Sequence, residues 1–75
     1  MKYIITYNYD DWNNDDYVGT VYIDSYNDIN EVNKAIHNIK SGLYDDGEYQ
    51  RNIKVYKAEE ITDEFDTKTK YDDDI

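Results

Sequence analysis

The side chains best placed to do chemistry in this 75-residue chain are carboxylates: 18 Asp and Glu stand against 8 Lys and Arg, for a formal charge of −10. The densest group is Asp10-Asp11-Trp12-Asn13-Asn14-Asp15-Asp16. Its alternating oxygen ligands invite comparison with a calcium loop. Such a loop needs Gly at its sixth position and a bidentate Glu at its twelfth, and counting from Asp11 those positions hold Asp16 and Tyr22. Both defining residues are missing, and no metal or cofactor is expected. Paired carboxylates also serve glycoside hydrolysis, but they must face each other across a walled cleft. A chain this short has little material for one.

Other reactive groups are scarce. His37 is the sole histidine and, at helical spacing, points away from Ile36 and Ile39 toward Asn30, Asn33 and Lys34, so it reads as a solvated surface residue without the companions that acid-base work needs. Ser25 and Ser41 have no nucleophile context, three glycines make no phosphate loop, and the absence of cysteine removes thiolate, disulfide and zinc-knuckle chemistry. The chain is expected not to be an enzyme.

Binding is what the carboxylates can do, and their distribution along the chain is uneven. Residues 1–28 set Lys2 against Asp10, Asp11, Asp15, Asp16, Asp24 and Asp28, while residues 59–75 hold eight acids against Lys68 and Lys70. Between these two poles, residues 29–58 balance Glu31, Asp45, Asp46 and Glu48 with Lys34, Lys40, Arg51, Lys54 and Lys57. Direct binding to DNA or RNA is disfavoured, because affinity for a polyphosphate comes from Lys and Arg releasing counterions. An acidic surface suits a basic protein that itself handles nucleic acid, with carboxylates standing in for phosphates and steering the encounter. Trp12, set among the acids, would supply rigid contact area. The candidate contact residues are Asp10, Asp11, Trp12, Asp15 and Asp16 in the first cluster, Asp45, Asp46 and Glu48 in a second, and Glu59 and Glu60 in a third. Changing the four acids of the first cluster to Asn is expected to abolish partner binding and to leave the fold intact or more stable, since like charges repel.

Taken together, Asp10-Asp11-Trp12-Asn13-Asn14-Asp15-Asp16, Asp45-Asp46-Gly47-Glu48 and Glu59-Glu60-Ile61-Thr62-Asp63-Glu64 make the chain resemble the small acidic proteins of bacteriophages and mobile elements that inhibit host defence nucleases, of the anti-CRISPR and anti-restriction type. The resemblance is to a class, and it implies a DNA-mimic inhibitor acting in the host cytoplasm on a basic effector such as a CRISPR nuclease. It implies no catalytic residue and no particular fold.

The elements that must position these acids can be read from periodicity. Residues 2–9 alternate as a strand, with Tyr3, Ile5, Tyr7 and Tyr9 on one face and Ile4, Thr6 and Asn8 on the other. Residues 17–26 form a second strand, with Val21 and Ile23 opposite Val18, Thr20, Tyr22 and Tyr26, and the acidic run between them is the hairpin loop. A helix follows, with Asp28 as N-cap, an apolar stripe of Ile29, Val32, Ile36, Ile39 and Leu43, and Gly42 as its stop. Residues 49–57 form a third strand with Ile53 and Val55 inward. Residues 58–65 make a short helix or a weak edge strand, and residues 66–75 a frayed acidic tail. The expected architecture is α+β: a single domain over residues 1–65 in ββαβ order, its antiparallel sheet in spatial order 2-1-3 with one helix on one face.

Ile, Val, Leu and Phe make up only a fifth of the chain, so the 10 tyrosines must supplement the core. Ten rings exceed what one layer can hide, and Tyr9, Tyr17, Tyr26 and Tyr71 are expected to be partly exposed. The alternative function is therefore a self-associating structural module, a homodimer through tyrosines on the open sheet face, with the acids serving solubility. No apolar run is long enough for a membrane span or signal peptide, so a soluble, cytoplasmic protein without membrane contact is expected.

Overall fold

The computed structural model describes residues 2–13, 15–24, 28–44 and 48–72. Its elements are β1 (Lys2–Asp10), β2 (Asp16–Asp24), α1 (Asp28–Lys40), β3 (Glu48–Lys57), β4 (Glu59–Glu60) and a 3-10 turn over Thr62–Glu64. The sheet is antiparallel in order β2-β1-β3-β4, so the ββαβ order and the 2-1-3 arrangement hold, with a two-residue strand added at the β3 edge. Residues 58–65, expected as a short helix or a weak edge strand, hold the two-residue edge strand β4 followed by a single 3-10 turn. Tyr26 lies outside the described residues, and β2 ends at Asp24.

The period-two pattern of β1 sets the inside of the domain. Tyr3, Ile5 and Tyr7 are buried together with Ile53 and Val55 of β3 and with Val32, Ala35, Ile36 and Ile39 of α1. Tyr9, Val21, Ile23, Ile61 and Phe65 pack around this layer. The helix stripe is narrower than its sequence suggests. Ile29 is 51% exposed and Leu43 69% exposed, while Ala35 takes a core position. For Leu43 the reason is the helix stop. The Gly42 N–H donates to the Ile39 carbonyl at 3.0 Å and the Leu43 N–H to the Asn38 carbonyl at 3.0 Å, with Gly42 at φ 72°. These are the two bonds of a Schellman cap. They turn the chain off the helix axis, and Leu43 falls outside the buried face.

Residues 66–72, expected to fray, are instead fastened down. The Lys40 ammonium donates to the Asp66 carbonyl at 2.9 Å, Thr67 is buried, and the Thr69 hydroxyl donates to the Gln50 carbonyl at 2.7 Å. Asp72 accepts from the Asn52 N–H and the Thr69 N–H, each at 2.7 Å. The physical reason is that β3 has an outer edge whose backbone groups need partners, and this segment supplies them with side-chain oxygens.

Three non-glycine residues hold positive φ: Tyr49 at 60°, Asn52 at 54° and Ala58 at 64°. The first two coincide with shifts in the β1–β3 register, between Asn8 and Asp10 and between Thr6 and Asn8, and so mark β-bulges. Ala58 makes the tight reversal into β4, where Lys57 faces Glu59.

Gly19 faces Tyr7 across the β1–β2 pair, and a Cβ at this position would overlap the Tyr7 ring. The glycine leaves room for the ring to lie across β2. Since Tyr7 is buried and cannot swing away freely, Gly19→Ala is expected to destabilise the domain by about 1–3 kcal/mol. Urea unfolding measures this, and an unchanged midpoint would show that the ring is free to move.

Candidate acidic interface at the hairpin end

The open face of the sheet is built from the residues that alternate with the core. Cross-strand partners share a face, so Asp16, Asp10 and Glu48 form one row across β2, β1 and β3 at the loop end. The next row holds Val18, Asn8 and Arg51, and further along lie Thr20, Thr6 and Lys54, then Tyr22, Ile4 and Tyr56. Strand spacing sets the backbones that carry this row of carboxylates roughly 4.8 Å apart. That is of the same order as the roughly 3.4 Å axial step between phosphates on one nucleic-acid strand.

Arg51, the only arginine of the chain, organises this row. Its Nη2 donates to Asp10 Oδ1 at 3.0 Å and to Asp16 Oδ1 at 3.1 Å, and its Nη1 donates to the Tyr49 carbonyl at 2.8 Å. Asn8 adds a longer bond to Asp16 Oδ1 at 3.4 Å and accepts one from Asn52 at 3.4 Å. Asp10 and Asp16 are therefore held in place by a cation. The bulge at Asn52 is what brings Arg51, two residues C-terminal to Tyr49, level with Asn8.

Asp11 has a different task. Its Oδ1 accepts the backbone N–H groups of Asn13 and Asp15, each at 2.9 Å, and its own N–H donates to the Asp15 carbonyl at 2.9 Å. This Asx-type turn fixes the loop and projects Trp12, 86% exposed, at its tip. Asp15, Asp16 and Glu48 are exposed beside it. Beneath the loop, Tyr7, Tyr9 and Tyr17 run outward from the core as a ladder of rings with centroids 5.7 Å apart. The negative charge of Asp11, then that of Asp15, raises the Tyr17 phenol above its ordinary pKa of 10.0.

Six of the ten expected contact residues, Asp10, Asp11, Trp12, Asp15, Asp16 and Glu48, thus gather at one end of the sheet. Glu59 and Glu60 do not join them. They pair with Lys57 and Tyr56 at the opposite end, six residues of β1 or about 20 Å away. Asp45 and Asp46 lie outside the described residues. Neutralising the whole first cluster would not be benign, since Asp10 and Asp16 are ion-paired and Asp11 ties the turn. Arg51, Asn8 and Asn52 were not among the expected residues, and only the asparagine at a left-handed position hinted at the bulge that aligns them.

Among the described residues, no group of three or more His, Cys, Asp or Glu side chains is arranged to hold a metal ion, and no helix is long and apolar enough to cross a membrane. No family model, no curated protein and no solved structure matches the chain.

Two outcomes follow from this geometry. Arg51→Gln leaves Asp10 and Asp16 facing each other across the hairpin and is expected to cost about 1–2 kcal/mol at low salt. That loss shrinks as salt screens the repulsion, and a loss independent of salt in chemical unfolding would trace instead to packing of the arginine stem. For Tyr17, the folded chain keeps the phenol proton to higher pH than the unfolded chain. Its contribution to stability is fully present below pH 10.0 and is lost as pH rises through the folded value. Asp11→Asn is expected to bring the Tyr17 pKa down toward 10.0, as read from ring-carbon chemical shifts, and an unmoved titration would contradict the assigned cause.

Proposed function

We propose that this chain is a small acidic binding protein that engages a basic, nucleic-acid-handling protein through the hairpin end of its sheet and thereby inhibits it. The observation that carries the reading is the gathering of five carboxylates, Asp10, Asp11, Asp15, Asp16 and Glu48, at one end of the sheet beside an exposed tryptophan, with Asp10 and Asp16 sharing the Arg51 guanidinium. Asp10 and Asp16, held in place by Arg51, lose little entropy on contact, which favours binding. Trp12 projects from the same surface as an aromatic anchor of the kind that dominates interface energetics. The excess of negative charge in the whole chain steers a cationic groove toward it. In this reading the partner is an effector of the host cell, such as a CRISPR or restriction nuclease, and the carboxylate row occupies the place of a phosphate backbone. The site works by contact alone, and the setting is the host cytoplasm.

A second reading, self-association through the open face, draws on one observation: Tyr22 and Val18 are exposed there beside Ile4. It predicts a dimer whose population rises with concentration and is indifferent to salt.

The deciding experiment immobilises the protein, captures partners from host lysate at low salt and elutes them with a salt gradient. A captured nuclease or polymerase should lose DNA binding when the free protein is added. Trp12→Ala and the pair Asp15→Asn with Glu48→Gln, which spare the ion pair and the turn, should each weaken capture by about tenfold or more. Capture that ignores both variants, or that returns only proteins without nucleic-acid function, rejects the reading.

A further inference from the structure

We propose that the outer edge of β2 is a strand-addition site for an extended, cationic segment of a partner polypeptide. The two edges of this sheet are treated differently. Along β3, the Ile61 N–H donates to the Val55 carbonyl at 2.7 Å and the Val55 N–H to the Thr62 hydroxyl at 3.0 Å. Thr69 and Asp72 take the Gln50 carbonyl and the Asn52 N–H, and β4 pairs with Tyr56 and Lys57. That edge is closed by the chain itself. Along β2, no strand among the described residues pairs with the outer side.

β2 is also unusually suited to pairing. It runs nine residues with an unbroken register against β1, and it contains neither Pro nor Lys. Bulges, prolines and lysines are the usual devices that blunt an exposed edge, and β2 has none of them. The bond from the Asp11 N–H to the Asp15 carbonyl fixes which backbone groups face outward. Antiparallel pairs alternate between bonded and non-bonded, so residues 17, 19, 21 and 23 bond to β1. The N–H and C=O groups of residues 16, 18, 20, 22 and 24 face away from it. The side chains of those same residues lie on the open face, where Val18 is 66% and Tyr22 76% exposed. A strand added there would gain main-chain hydrogen bonds from the edge and side-chain contacts from Val18 and Tyr22, the two ingredients of β-augmentation.

Charge selects the occupant. The only charged residues of β2 are Asp16 and Asp24, one at each end, and Asp15 adjoins the first. A second copy paired antiparallel about Thr20 would set Asp16 against Asp24 of that copy at both ends, a like-charge arrangement that destabilises cross-strand pairs. A segment with β-branched or aromatic residues in its middle suits Val18 and Tyr22, and Lys or Arg at its end suits the hairpin end of β2, where Asp10, Asp15, Asp16 and Glu48 outnumber the one guanidinium of Arg51. This inference rests on the reading that the partner is cationic. It adds a backbone requirement that contact with the loop alone does not have.

The test titrates the full chain, isotope-labelled, with a synthetic peptide of about nine alternating Val and Thr residues bearing Lys at both ends. A second peptide of identical charge has alternate amides N-methylated. The first peptide should shift and protect the amides of residues 16, 18, 20 and 22, and the methylated one should bind at least about tenfold more weakly, since several main-chain bonds are lost. Thr20→Pro removes an outward N–H at an edge position, where proline is tolerated, and Val18→Lys adds like charge at an exposed site. Each should weaken the first peptide comparably while circular dichroism reports an intact fold. Equal binding of both peptides, with shifts confined to residues 11–16, overturns the edge site and leaves the acidic-loop reading standing. Absence of binding by the first peptide overturns it too. Amide protection along β2 that grows with protein concentration in the absence of peptide assigns the edge to a second copy and equally overturns the proposal.

Discussion

A single layer of side chains between one helix and one sheet carries this domain. Tyr3, Ile5 and Tyr7 meet Val32, Ala35, Ile36 and Ile39, with Ile53 and Val55 completing the layer. No element lies behind the sheet among the described residues, so the positions alternating with the core are exposed or half-buried. The helix itself follows the same constraint. Its stripe needs to be only wide enough to cover the middle of a three-strand sheet, which is why the buried positions are 32, 35, 36 and 39 and the apolar residues at 29 and 43 fall outside. Two rings replace aliphatic bulk in β1, and Gly19 exists in β2 because Tyr7 occupies the volume that its side chain would fill.

With so thin a core, a net charge of −10 is a standing cost, since self-repulsion destabilises a compact state. Two of the eight cations are placed against carboxylates and two more over tyrosine rings. Arg51 joins Asp10 and Asp16, Lys40 reaches Asp66, Lys57 lies over the Tyr3 ring at 5.3 Å, and Lys70 lies over Tyr71 at 5.1 Å. Arg51, Lys40 and Lys57 are half-buried by these contacts. The excess of acids leaves the hairpin end negative, since Arg51 is outnumbered there by Asp10, Asp11, Asp15, Asp16 and Glu48.

The strands and their order were legible because alternation survives even when tyrosine replaces leucine. Lys-Tyr-Ile-Ile-Thr-Tyr-Asn-Tyr can bury only one face as a strand, and a chain that reads strand, loop, strand, helix, strand has few right-handed ways to pair. The helix centre was legible for the same reason. What could not be read were contacts that depend on register between distant segments. Arg51 meets Asp10 and Asp16 only because bulges at Tyr49 and Asn52 shift β3 against β1, and no local periodicity encodes a bulge. The segment after Asp66 looked like a tail because Thr67, Thr69 and Asp72 are polar, yet polar oxygens are what an open strand edge requires. At the hairpin, acidity was visible and roles were not: Asp10 and Asp16 are ion-paired, Asp11 ties the turn, and Asp15 stands exposed.

These two surfaces, the acidic hairpin end and the outer edge of β2, are continuous through Asp16, which ends the carboxylate row and begins the edge strand. A chain laid along β2 would emerge at Asp16 within reach of Asp15 and Trp12, so one extended cationic segment can engage backbone, carboxylates and indole together. The combination separates two properties that charge alone confuses. Carboxylates at the loop raise the rate of encounter with any cationic surface and weaken with salt. Main-chain hydrogen bonds along β2 depend on an extended backbone and are indifferent to salt, so they act on dissociation. A partner chosen by both must be basic and must also offer a free strand. That criterion is narrower than electrostatics can impose, and it would be set by the nine residues of the β2 edge.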